Sequence, residues 1–147
     1  MKRVKGGTRI VRGQMKTNTF EKVQLFDGKF TTGYKVTKFV VYENFPTTGK
    51  TIVSTLKTQS GLTLGFFNFG DDTQIAWATN NAPISTRWGE FALIDPTNML
   101  IEDLFVESYA DGEAITINYY IELEKYEFAA WDGAGQMVRN NVQGGPE

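Results

Sequence analysis

The chain has 147 residues, 41% hydrophobic and 14% aromatic, which is enough apolar material for one folded core and too much for general disorder. It contains neither cysteine nor histidine, so disulfides, a thiolate nucleophile, a Ser/His/Asp triad and the usual zinc sites are excluded. The formal charge of −2 hides a division by position: residues 1–70 carry twelve Lys/Arg against three acids, and residues 71–147 carry three against fourteen.

In chain order, Lys2, Arg3, Lys5, Arg9, Arg12 and Lys16 all precede the first acid, Glu21. Residues 1–18 therefore read as a flexible basic N-terminal arm, with Gly6, Gly7 and Gly13 adding backbone freedom. Such cations suit nucleic-acid phosphates or the acidic groups of neighbouring subunits, and a merely solvated terminus is the bland alternative. Phosphate contact by all of them implies a slope of roughly −4 to −5 in log K against log salt, at about 0.7 to 0.9 per contact. The weak alternation from Thr8 to Arg12 also fits an edge strand with its arginines pointing outward.

Short β-type runs follow, separated by turn residues. Thr19 to Phe26 is closed by Asp27-Gly28, and Phe30 to Tyr42 by Asn44-Phe45-Pro46. Lys50 to Thr58 alternates β-branched with polar residues, and Gly61 opens a run from Leu62 to Phe69. Asn44 to Thr51 resembles a phosphate-binding P-loop, but it lacks the first glycine and leads into a β-branched run where a helix is required, so a turn is the simpler reading. Gly70-Asp71-Asp72 is a turn before the run Thr73 to Ala78; Asp71 and Asp72, with Asn68 near them, are weak candidates for a structural calcium ion and otherwise plain turn residues. No other cofactor is implied.

Asn80 to Asn98 shows no clear periodicity and reads as a long excursion between sheets. Met99 to Tyr109 and Ala114 to Phe128 then read as a hairpin, because Ala110-Asp111-Gly112 joins two alternating runs. In the second run Ile115, Ile117, Tyr119, Ile121 and Leu123 share a core face, while Thr116, Asn118, Tyr120, Glu122 and Glu124 share a wet one. Glu122 and Glu124, with Glu102 and Asp103 on the presumed partner strand, have the makings of a glycosidase carboxylate pair. Nothing in the sequence raises the pKa of either, so solvated acids and no enzymatic activity are expected. Trp77 lies in an apolar run and is expected in the core. Trp88 and Trp131 lie in irregular segments and Tyr120 on the wet face, so these three are the candidate interface or ligand aromatics. Residues 129–147 form a Gly-rich C-terminal extension, with a weak helical turn or two near Gln136 to Asn141. No stretch reads as a signal peptide or membrane span.

The pattern predicts an all-β protein: an antiparallel β-sandwich of residues 19–128, jelly roll favoured, between the flexible basic arm 1–18 and the extension 129–147. A small strand-rich domain behind a basic arm resembles the single jelly-roll coat proteins of small icosahedral viruses. That resemblance implies a structural virion protein that self-assembles in many copies, tiling a shell with its sandwich while the arm contacts genomic nucleic acid or neighbouring subunits, alone or with other virion proteins. It implies localisation in the virion, assembled in the host cytoplasm; a non-viral protein of this composition is expected in the cytoplasm. The alternative is a non-catalytic binding module that recognises carbohydrate or protein through aromatic loops.

Overall fold

A computed structural model describes residues 2–29, 31–44, 50–61, 67–81 and 89–128, and of residues 2–6, 81, 89 and 90 the backbone alone. The β-branched and aromatic runs form eight strands: β1 (Lys2–Lys16), β2 (Thr19–Val23), β3 (Thr32–Glu43), β4 (Thr51–Lys57), β5 (Gln74–Asn81), β6 (Gly89–Ile94), β7 (Leu104–Ala110) and β8 (Thr116–Glu127). No helix occurs among the described residues. The strands form two antiparallel sheets, one in the order β1-β8-β3 and the other in the order β2-β7-β4-β5-β6. β3 packs across on β5 and β6, which makes the molecule a two-layer β-sandwich.

The core lies between the layers. Phe39, Val41, Ile117, Ile121 and Leu123 of the three-stranded sheet meet Ile52, Leu56, Ala76, Leu104 and Val106 of the five-stranded sheet, all of them essentially inaccessible to water. The alternation in β8 holds, since Ile117, Tyr119, Ile121 and Leu123 are buried and the residues between them only partly so. In β3 a bulge between Val36 and Lys38 absorbs Thr37. It restores the phase, so that Phe39 and Val41 point inward and Lys38, Val40 and Tyr42 outward.

The structure corrects three expectations. The basic stretch drawn as a flexible arm is the edge strand β1, with continuous register along β8 from Thr8↔Glu124 to Lys16↔Thr116. Its inward positions hold Val11, packed on the core, and buried Met15. Its partner lies about a hundred residues away in sequence, and the weak alternation from Thr8 to Arg12 is the local trace of this edge strand. Second, β7 and β8 exist but do not pair. Gly112 adopts the left-handed conformation of a turn (φ 79°), yet the chain crosses there from the five-stranded to the three-stranded sheet. Third, the aperiodic excursion contains β6, paired with β5 from Ala76↔Ile94 to Asn81↔Gly89. Phe91, Ala92 and Leu93 are all exposed, so no alternation marks this strand.

The corner between β1 and β2 is closely specified. Asn18 takes a positive φ of 63°. Its backbone N–H donates to the Ser108 carbonyl at 2.6 Å, and its side-chain oxygen accepts from the Ala110 N–H at 3.2 Å. Thr17 exchanges backbone and hydroxyl hydrogen bonds with Ile115 at 2.9 Å. These bonds satisfy the backbone exactly where both β1–β2 and β7–β8 change sheets.

Candidate interaction face of the three-stranded sheet

Outward positions on β1, β8 and β3 fall into rows set by the ladders. Gln14, Asn118 and Tyr42 form one row; Arg12, Tyr120 and Val40 the next; Ile10, Glu122 and Lys38 the third; Thr8, Glu124 and Lys35 the fourth. Lys16 stands beyond the first row, opposite Thr116. Tyr120 is central. The Lys38 ammonium lies 5.9 Å from the Tyr120 ring centroid, and the Lys35 ammonium 5.3 Å from that of Tyr126.

Two shallow hollows flank Tyr120. One, of about 410 Å³, lies between β1 and β8 and is lined by Arg12, Gln14, Asn118 and Tyr120. The other, of about 400 Å³, lies between β8 and β3 and is lined by Lys38, Val40, Tyr42, Asn118 and Tyr120. The Gln14 amide donates to Asn118 Oδ1 at 2.9 Å and to Asn44 Oδ1 at 3.0 Å, tying all three strands together at this end. Ile10 and Tyr42, 52% and 40% exposed, show that the face is open to solvent. Desolvation, then the neighbouring Glu122 carboxylate, hold the Tyr120 phenol above its ordinary pKa, with Arg12 pulling the other way. Tyr120 is thus a neutral ring near pH 7, carrying a hydroxyl that can donate.

The basic residues divide unequally. Arg12 and Lys16 are exposed on this face, and among the described residues neither lies within ion-pair distance of a carboxylate. Arg9, three positions from Arg12, must point to the other side of the strand; it donates to the Gln24 carbonyl at 2.9 Å and sits 5.7 Å from the Tyr34 ring centroid. It fastens the inner edge of the sandwich, which corrects the expectation that both arginines point outward. Lys2, Arg3 and Lys5 lie in the first part of β1, with Lys2 and Arg3 in register with Glu127 and Tyr126; their side chains lie outside the description.

Comparison with protein-family models, with curated proteins and with solved structures gives no match.

The other sequence candidates are placed as follows. Trp88 and Trp131 lie outside the described residues. Asp71 Oδ1 accepts from the Thr73 N–H at 2.9 Å and the Thr73 hydroxyl at 2.6 Å, closing a tight turn, with Asp72 exposed beside it. Among the described residues no three acidic side chains converge as a metal site. Glu102 and Asp103 precede β7 and are not on a strand beside Glu122 and Glu124, so the carboxylate pair is not assembled. Asp103 instead accepts from the Leu25 and Phe26 N–H groups at 2.8 and 3.1 Å and pairs with Lys22 at 3.0 Å. Burial alone would raise its pKa, but these hydrogen bonds and the ammonium together bring it below the ordinary carboxylate value.

Trp77 is buried, as its apolar run suggests, but on the outward side of its sheet. It lies under Phe69, with ring centroids 4.7 Å apart and planes at 84°, and donates from Nε1 to Gln74 Oε1 at 2.8 Å. Sequence reasoning missed Lys38, Tyr42 and Gln14 as members of the open face. Alternation was the available signal, since Lys38 and Tyr42 share parity with Val40 and oppose Phe39 and Val41.

Proposed function

We propose that this chain is a coat-type jelly-roll subunit that self-assembles into a shell, with basic residues of β1 directed at genome or neighbouring subunits. The observation that carries the reading is the nested strand pairing. A jelly roll is a long antiparallel ribbon, β1 with β8, β2 with β7, β3 with β6 and β4 with β5, rolled into two layers. Three of those four pairs are ladders in this chain, and β3 and β6 pack against each other without one. The orders β1-β8-β3 and β2-β7-β4-β5 agree with the rolled ribbon, while β6 departs from it by pairing with β5 at the edge of the five-stranded sheet instead of with β3.

The division of charge supports assembly, because repeated contacts between unlike surfaces around symmetry axes gain register and encounter rate from opposite charge. The cations gathered on β1 and the acids concentrated after residue 70 supply both signs. Electron microscopy of the purified full chain tests the reading: closed particles of uniform diameter are expected, and a field without particles at every salt and pH tried contradicts it.

The hollows beside Tyr120 favour one second reading, a binding module in which a ligand lies against that ring. A glycan array probed with the chain and its Tyr120→Ala variant separates the two. Tyr120-dependent capture of a defined sugar supports the module.

A further inference from the structure

We propose that the outward face of the three-stranded sheet is a stacking platform for single-stranded nucleic acid, centred on Tyr120. It rests on the coat reading only for the presence of a genome. Sequence-tolerant binding of single strands combines cations that follow the backbone with aromatic rings on which bases lie. Both are present on one face: Arg12 and Lys38 stand on the two sides of Tyr120, one in each hollow, and Tyr42 closes the second.

The sign of the charge selects a polyanion over a neutral sugar. Outward positions with described side chains hold Arg12, Lys16, Lys35 and Lys38 against Glu122 and Glu124. The two acids stand opposite Lys38 and Lys35 in the ladder, and Glu124 also accepts from the Tyr126 hydroxyl at 3.0 Å. The uncompensated cations are Arg12 and Lys16 of β1. They flank the row that carries Gln14 and Asn118, whose amides provide hydrogen-bonding groups beside the ring without adding charge. Across the sheet, β1 and β3 are separated by β8, so the two sets of cations lie about 10 Å apart, at about 4.8 Å per strand. A single strand crossing the sheet at Tyr120 therefore has a ring beneath a base, with the Arg12 guanidinium on one side and the Lys38 ammonium on the other.

A flat, half-apolar face with unpaired cations also suits an acidic surface on a second copy of the chain. The ring decides between the two occupants. Stacking makes affinity depend on the aromatic character of residue 120 and on the presence of bases, whereas contact with an acidic protein surface depends on charge.

The test is fluorescence anisotropy with the full chain and labelled oligothymidylate and oligouridylate of about 20 nucleotides, long enough for several site sizes. Heparin, a polyanion without bases, is the competitor. We expect both oligonucleotides to bind. Tyr120→Ala should weaken them about tenfold or more while Tyr120→Phe retains wild-type affinity, and Arg12→Gln should reduce the salt slope by about 0.7. Circular dichroism and a melting curve confirm that each variant is folded.

Three results overturn the proposal: no oligonucleotide binding at low salt, affinity indifferent to Tyr120→Ala, or loss of self-association in Tyr120→Ala and Arg12→Gln with oligonucleotide affinity unchanged. The last assigns the face to a subunit contact. Assembled particles whose nucleic-acid affinity ignores Tyr120 reject the platform and keep the coat. Unassembled chain that binds single strands through Tyr120 rejects the coat and keeps the platform.

Discussion

On the three-stranded sheet Arg12, Lys38 and Tyr42 face solvent, whereas at outward positions of the five-stranded sheet Thr55, Lys57, Trp77 and Glu107 are 3–6% exposed. Among the described residues, the two ends of the connection between β4 and β5 contribute to this burial at Trp77. Thr58 donates its N–H to the Thr73 carbonyl at 2.9 Å, the Asn68 N–H donates to Gln74 Oε1 at 2.9 Å, and Phe69 lies on Trp77. On the same side of the sheet Lys57 and Glu107 form an ion pair at 3.6 Å whose side chains are 7% and 4% exposed. One sheet thus uses its outward polar residues as internal structure, and the other leaves them available to a partner.

The largest expected effect separates these two uses. Lys57→Met alone leaves a buried carboxylate beside an apolar side chain and should cost about 3–5 kcal/mol in urea unfolding, while Lys57→Met with Glu107→Leu should recover most of that loss. Arg12→Gln, on the open face, should change stability by no more than about 0.5 kcal/mol. Equal effects at the two positions would break the comparison.

The same contrast governs how much of the fold was legible. β8 could be read from alternation because its outward face is wet and its inward face dry, and Ile117, Ile121 and Leu123 are indeed fully buried. In β4, β5 and β7 both faces are buried, so alternation there marks a strand without saying which side meets the core. The Asp111-Gly112 turn was legible as a turn, but which sheet each flanking strand joins depends on β1, β2, β3 and β4, all remote in sequence. β1 looked like a solvated arm because Lys, Arg and Gly dominate its composition. Its inward apolar contacts, Val11 and Met15, are sparse, so the weak alternation from Thr8 to Arg12 was the one sign of the edge strand. Of the candidate site, Tyr120, Arg12 and Lys16 were identifiable one by one, but their meeting with Lys38 and Tyr42 is a product of strand register.

A second expected effect lies at the edge of the sandwich. Tyr119 crosses Gly13 on β1 and points its hydroxyl toward Glu21 of β2 at 3.4 Å; burial, followed by the Glu21 charge, holds the phenol above its ordinary pKa. A Cβ added at Gly13 would stand 2.8 Å from the Tyr119 hydroxyl oxygen and 3.0 Å from the ring. Gly13→Val should therefore cost about 1–3 kcal/mol, and Tyr119→Leu in the same chain should relieve part of it. A neutral Gly13→Val would mean that the ring is free to move and the edge is not closed by it.

The smallest effect is a dependence on pH. Because the folded-state pKa of Asp103 lies below the unfolded carboxylate value of about 3.9, its stabilising contribution is fully present above that value. The contribution is lost as pH falls through the lowered folded pKa. Asp103→Asn should lower the urea midpoint at pH 7, and the difference from wild type should shrink below about pH 4. A difference that stays constant with pH would show that the loop at Leu25 and Phe26 is held by hydrogen bonding alone.

Assembly into a shell is the function proposed for this sandwich, with the division of charge along the chain as its support. Sedimentation velocity of the purified full chain over a salt series from about 50 mM to 1 M tests it most directly, because screening shortens the Debye length from above 10 Å to about 3 Å over that range. A discrete fast boundary from a large, uniform particle is expected, losing amplitude to slow subunits as salt rises. A single 16.5 kDa species at every salt concentration would contradict it.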